Sequence, residues 1–307
     1  MTVTPAKRKK IRAEKLEAFD LNKNGRLEEG LFGLPFETDE SELIIIPVPW
    51  DVTSIKGGAS DAPDNILHVS RAMNLYHPDY DDAWQKGVAM HNIPQKWRES
   101  SHELRKVRKK IINNKDKKLS NGKKVELFQN YKQINYTSRI LKEWVEDKCS
   151  EYLEEKKLVG LLGGDHGCAA GYLNVLSKKY KSFGILHLDA HPALHMKSGR
   201  FDYSHHSFTD FALQLEAVSH IVQVGTRDTS HHEKMRMDDE KTRLRAFTDY
   251  KLNDRLFRGT TWKMLVNEVI SALPYYIYLS VDIDVMQQMY CPNTAYPYPG
   301  GRSFDEV

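Results

Sequence analysis

The sequence predicts an α/β protein built on a mainly parallel sheet, and three observations carry that expectation. Apolar runs of five or six residues recur along the chain, with segments of helical periodicity between them. The runs are continuous rather than alternating, as strands covered on both faces are. Polar residues gather directly after three of the runs, where open α/β sheets collect their ligands. They are Gly163-Gly164-Asp165-His166, His187-Leu188-Asp189-Ala190-His191 and Ser280-Val281-Asp282-Ile283-Asp284.

Residues 1–41 form a charged extension, with one short helix expected around Arg12–Phe19. Leu43-Ile44-Ile45-Ile46-Pro47-Val48 reads as the first buried strand, and Gly57-Gly58-Ala59 as the loop before a helix near Ala62–Met73. Residues 127–156 are helical, with Leu141, Trp144 and Val145 on one face. Strands follow at Leu158–Leu162, Phe183–Leu188 and Ile221–Val224, with a helix over Cys168–Lys178 after the first of them. A helix at about 261–272 leads into the last strand, Tyr276–Val281. No repeat and no linker divides the chain, so one domain over 42–307 is expected behind the extension.

Composition narrows the function classes. The 45 basic and 42 acidic residues leave a formal charge of +3, too balanced to imply a nucleic-acid partner. Ten Lys or Arg crowd residues 105–124 against the single acid Asp116, but no aromatic residues interleave with them, and a helix followed by a Lys-rich surface loop accounts for them. No apolar stretch approaches the roughly 18 residues that span a bilayer, and the basic N-terminus lacks the apolar run of a secretory signal. Cys149, Cys168 and Cys291 are few and widely spaced, which suits a reduced, cytoplasmic protein. Asp20-Leu21-Asn22-Lys23-Asn24-Gly25 matches the start of a calcium loop, but the twelfth position is Leu31 instead of a bidentate Glu, so an Asn-Gly turn is expected.

The three clusters are the material of a metal site. Residues two apart on a strand share a face, so Asp189 projects with His191, and Asp282 with Asp284. His166 closes a third strand through a Gly-Gly turn. Adjacent strands would bring two imidazoles and three carboxylates together, a donor set that suits Mn2+ better than soft-ligand metals. Taken singly, each cluster has a plainer reading: a hydrogen-bonded Asp-His pair, a helix-capping Asp-Ile-Asp, a tight Gly-Gly turn. Their joint occurrence favours the metal. His187 lies further back in its run and is expected to support the site from the core.

In this combination and order the clusters resemble those of the ureohydrolase family, which includes arginases, agmatinases and formimidoylglutamases. The resemblance runs from Ile44-Ile45-Ile46-Pro47-Val48-Pro49-Trp50-Asp51 to Pro299-Gly300-Gly301. It implies a three-layer α/β/α fold, two Mn2+ ions per chain and hydrolysis of a guanidino or formimino C–N bond, usually releasing urea. It assigns His166 to one metal and His191 to the other, with Asp189 and Asp282 bridging and Asp284 completing the second. Cations sharing a carboxylate would acidify water near neutral pH. Ser204-His205-His206-Ser207 resembles the family's Ser-His segment, making His205 the proton shuttle and Asp284 the residue that orients the nucleophile. Assembly as a trimer or hexamer is a further implication, and Lys197 and Arg200 are candidates to meet a substrate carboxylate.

The chain also departs from that pattern. Ala193 stands where the family has the second Asp of Asp-Ala-His-x-Asp, so one metal would lose a ligand. Gln287 and Gln288 replace an Asp-Pro pair, and Ala295 and Tyr296 a Gly-Thr pair. The sequence stops at Val307, which leads us to expect a C-terminally shortened domain without the family's glutamate near the guanidinium. Three readings follow from the sequence: an agmatine- or arginine-type hydrolase, a formimidoylglutamase or other guanidine hydrolase, and a non-catalytic relative acting as an assembly partner.

Overall fold

A computed structural model describes residues 4–20, 29–54, 56–80, 82–114, 118–195 and 201–307. The calcium-loop-like segment (largely), Asp116, Lys197 and Arg200 lie outside the described residues. The chain forms two compact units: Met1–Val52 with Gly57–Cys168, and Thr53–Lys56 with Ala169–Val307.

The first unit opens with α1 (Pro5–Ala18), whose N-terminal Lys7 N–H is capped by the Thr4 hydroxyl. This helix buries nothing of its own and is held by ion pairs, Arg8 to Glu155 at 3.0 Å and Arg12 to Glu42 at 2.8 Å. Then come β1 (Leu43–Val48), α2 (Ala62–Ser70), β2 (Val88–Met90), α3 (Gln95–Asn114), α4 (Asn121–Glu154) and β3 (Leu158–Gly163). The strands pair in parallel in the order β2-β1-β3, and Ile44, Ile46 and Val48 of the central strand are fully buried.

The Lys-rich region is more helical than the sequence suggested. Rather than a helix and a long loop, α3 runs to Asn114 and α4 starts at Asn121. Two apolar stripes explain it: Trp97, Ser101, Leu104 and Ile111 on α3, and Ile134, Ser138, Leu141, Val145, Cys149 and Tyr152 on α4. Three- and four-residue spacing gives each helix one buried face, and the lysines fall on the other. Burial in that stripe pushes the Cys149 thiol well up, so it stays protonated.

The second unit holds α5 (Ala170–Lys179), β4 (Phe183–Leu188), α6 (Phe208–Leu213), β5 (Val218–Val224) and α7 (His231–Asp239). β6 (Leu244–Phe247), α8 (Asp249–Phe257), α9 (Trp262–Ser271) and β7 (Ile277–Val281) complete it. All pairings are parallel, in the order β6-β5-β4-β7. The chain therefore runs from β4 outward through β5 and β6, then returns to the opposite side of β4 with β7. Such a reversal makes the carboxyl ends of β4 and β7 the expected place for a ligand. Val222, Val224, Phe247, Leu252, Leu265 and Val269 form the core between β5, β6 and their helices. Side-chain caps define the helix starts: Ser230 with Glu233 for α7, Thr248 for α8 and Thr261 for α9. No described helix is long and apolar enough to cross a membrane.

A buried ion pair fixes the Pro299-Gly300-Gly301 loop in this unit. The Arg302 guanidinium donates twice to Asp249 Oδ1, at 3.1 and 2.6 Å, while Asp249 Oδ2 accepts the Gly301 N–H at 3.3 Å. Arg302 and Asp249 are 3% and 5% exposed, so removing one charge strands the other away from water. Arg302→Met is expected to cost about 3–5 kcal/mol, read as a lower urea midpoint, and an unchanged midpoint would show the pair to be solvated.

Candidate metal centre

Strand register builds the centre. Leu188 of β4 pairs with Val281 of β7, so the residues after these two strands emerge at the same level. The Asp282 N–H donates to Leu188 O at 2.8 Å, locking that level, and the Asp189 N–H donates to Val224 O at 3.2 Å. Asp189 and His191 then follow β4, and Asp282 and Asp284 follow β7.

Three of these four side chains converge. One ligand atom each from Asp189, His191 and Asp284 lies within 4.8 Å of the others. His191 Nδ1 is 2.9 Å from Asp284 Oδ2 and 3.4 Å from Asp189 Oδ1, so this nitrogen faces both carboxylates. Asp284 Oδ1 accepts the Ala190 N–H at 3.0 Å, and Asp189 Oδ1 accepts the His191 N–H at 2.6 Å. Asp282 also shapes the turn that presents Asp284: its Oδ1 accepts the Asp284 N–H at 3.1 Å. The capping use of Asp-Ile-Asp thus coexists with any use as a ligand.

Behind Asp189 stands a buried polar row. His187 is fully buried, and its Nε2 lies 3.0 Å from Asp189 Oδ2. Its Nδ1 faces the Gln223 amide nitrogen at 3.2 Å, and that amide also donates to Pro192 O at 2.9 Å. The Asp189 carboxylate accepts, which places the ring N–H of His187 on Nε2, facing it. His187 therefore supports the site from the core, as its place in the apolar run suggested.

The electrostatics favour positive charge at His191. Burial alone would lower the His191 pKa, but hydrogen bonds and charge from Asp189 and Asp284 outweigh it and raise it to about 10. Burial, followed by the neighbouring carboxylates Asp282 and Asp189, raises Asp284 to about 6, although His191 pulls it down. A site this rich in carboxylate holds a proton on its one histidine; a divalent ion would relieve the same repulsion. Oxygen and imidazole donors at these spacings fit a hard or borderline cation such as Mn2+.

The other expected residues fall as follows. His166 belongs to the first unit, where it opens a short 3-10 turn after β3. Gly164 has φ +53°, and a Cβ there would meet Trp50 O at 2.2 Å, which is why the turn needs glycine. His205 starts a 3-10 turn capped by Ser204; its ring centroid lies 3.8 Å from that of His206 and 6.4 Å from that of Tyr296. Tyr296 is in turn 6.1 Å from the His191 ring, placing it beside both histidines. Ala193 is 3% exposed and has φ +51°.

Sequence reasoning missed Asp228 and Arg227. Asp228 Oδ2 is 3.6 Å from His191 Nε2, the nitrogen turned away from the two carboxylates. The Arg227 side chain donates to the carbonyls of Asp284 at 2.6 Å, Met286 at 3.2 Å, Val285 at 3.4 Å and Gly225 at 3.4 Å. Its own N–H donates to Ala190 O at 2.8 Å. One guanidinium thus ties the Asp284 turn to the end of β5, using a planar fork that lysine lacks. Arg227→Lys is expected to weaken Mn2+ binding about tenfold, as loss of a supporting partner does. Titration calorimetry checks this, and an unchanged affinity would mean that the turn holds Asp284 without it.

Comparison with known proteins agrees with this architecture. The sequence is 26% identical to the N(1)-aminopropylagmatine ureohydrolase of Thermus thermophilus, over 92% of this chain and 80% of that protein. It is also 26% identical to the agmatinase of Blochmanniella floridana, over 89% and 77% respectively. The structure resembles the agmatine ureohydrolase of Thermoplasma volcanium with a TM-score of 0.63 at 19% identity, covering 96% of this chain and 82% of that one. For arginase from Bacillus cereus the TM-score is 0.59 at 20% identity, with coverage of 87% and 83%. At these identities the structural likenesses establish the fold, parallel sheets flanked by helices. The family model for the Arginase family matches residues 41–307, nearly everything after the charged extension, and the chain belongs to that family.

Proposed function

We propose that this chain hydrolyses the guanidino C–N bond of an agmatine- or arginine-type substrate and releases urea, in a manganese-dependent reaction. The observation that carries the reading is the convergence of Asp189, His191 and Asp284 at the carboxyl ends of adjacent parallel strands. The similar proteins from Thermus thermophilus and Blochmanniella floridana support the substrate class, since their names specify aminopropylagmatine and agmatine. Formimino compounds belong to the same C–N bond class and are assayed beside the guanidines.

Asp189, His191 and Asp284 would hold the metal, with Asp282 shaping the turn. When bound, the metal supplies the positive charge that acidifies water near neutral pH. Water adds to the guanidino carbon, the bond from that carbon to the alkyl-bearing nitrogen breaks, and the products are urea and an amine. Asp284 orients the incoming water through its carboxylate. His205 gives the departing nitrogen its proton, a task that an imidazole, with a donor and an acceptor nitrogen on one ring, can perform.

A competing reading, a non-catalytic relative, is favoured by one observation: Ala193 offers only a methyl group where the family pattern has a carboxylate. Urea assays on the manganese-loaded protein with agmatine, N1-aminopropylagmatine, arginine and formiminoglutamate decide between them, the last followed by formamide release. Urea from one of the first three is expected. Bound manganese without turnover of any of the four would sink the catalytic reading.

A further inference from the structure

One threonine hydroxyl meets both the backbone and the ring of His205. Thr53 belongs to the second unit and is 1% exposed. Its Oγ1 accepts the His205 backbone N–H at 3.4 Å and lies 3.0 Å from His205 Nδ1. A hydroxyl has two lone pairs and one hydrogen, so after accepting the backbone N–H it can still accept a second proton donor. Backbone and ring of the same histidine thus converge on one oxygen. Beside it, Ser204 caps the turn through the His206 N–H at 3.3 Å, and the His206 ring packs 3.8 Å away, centroid to centroid.

We propose that Thr53 is a positioning residue that fixes neutral His205 as its Nδ1–H tautomer, leaving Nε2 as the atom that takes up and releases the proton. The assignment rests on the reading of His205 as proton donor. An acceptor at Nδ1 serves both the neutral ring and the imidazolium, because Nδ1 carries a hydrogen in each. A hydroxyl donating to Nδ1 would have to turn away each time the ring became charged. With Nδ1–H held on Oγ1, the imidazolium can lose its Nε2 proton to the leaving nitrogen and return to the neutral Nδ1–H form without rearranging any hydrogen bond.

Histidine 15N NMR of the full chain tests this, at roughly two pH units above the ordinary histidine pKa of about 6.5. The signal missing from His205→Gln identifies the residue. The wild type and Thr53→Ser are expected to show protonated Nδ1 and bare Nε2. Thr53→Val, which keeps the shape and loses the acceptor, is expected to shift the population toward the Nε2–H tautomer. An Nε2–H tautomer in the wild type, or a Val variant that leaves the tautomer unchanged, would overturn the assignment. Should the Val variant not fold, the wild-type spectrum still decides. Absence of hydrolysis in a wild type that shows the Nδ1–H tautomer would count against the proposed reaction and not against the Thr53 contact.

Discussion

Ala193→Asp is expected to raise the manganese retained by the chain and to tighten its binding by at least about tenfold, since loss of even a supporting partner costs 10–100-fold. Two physical terms set the size of the effect. Ala193 has φ +51°, a left-handed conformation that Asp and Asn adopt more readily than Ala, so the backbone welcomes the change. The site is only 3% exposed, so the new carboxylate is buried and, without a cation, destabilising. The metal-free variant should therefore melt lower than the wild type, and added Mn2+ should raise its melting temperature more. At a hundredfold excess over Kd, ligand binding contributes about 2.7 kcal/mol. Ala193→Gly relieves the same backbone conformation without adding a ligand and should gain no metal. Equal metal retention in the Asp and Gly variants would show that position 193 does not face the ion.

Manganese affinity is expected to climb with pH. In the metal-free protein His191 has a pKa raised to about 10, because Asp189 and Asp284 outweigh its burial. Its proton stabilises the folded chain fully below the ordinary value of about 6.5, and that contribution is lost as pH rises through about 10. Asp284, raised to about 6 chiefly by burial and nearby carboxylates, takes stability from the metal-free fold as pH rises from the ordinary carboxylate value of about 4 to about 6, and no more above that. Metal binding needs the imidazole bare and the carboxylate charged, so it must displace these protons. Apparent affinity should rise about tenfold per pH unit from roughly 6 to 10, and more steeply below 6. The metal-free protein should lose stability over the same range. Calorimetry in buffers of different ionisation enthalpy would count the protons released. Affinity that is flat between pH 7 and 9 would mean that His191 is not a ligand.

How much of this was legible in the sequence depended on distance along the chain. β1 and β4 were legible to the residue because their runs are long, and the Ile and Val that fill β1 favour strands. β2 and β6, of three and four residues, were not: so short a run has no periodicity, and their places are set by pairing with β1 and β5. Asp189, His191 and Asp284 could be found because strand parity and parallel register are local rules. The partners that complete the site could not. Thr53 reaches His205 from 152 residues away, and Arg227 reaches Asp284 from 57. Nothing in their surroundings marks them. Tyr296 was visible as a departure from the family pattern, but its place beside His191 and His205 was not.

The most direct test of the account is metal per chain, measured by elemental analysis after loading with Mn2+ and dialysing away the excess, in the wild type and in Asp284→Asn. The geometry predicts at least one ion retained by the wild type, with that ion lost or bound at least about tenfold more weakly when Asp284 can no longer offer a charged oxygen. A wild type that retains no manganese, or an Asn variant that retains as much as the wild type with the same affinity, would contradict the assignment of Asp189, His191 and Asp284 as the metal centre.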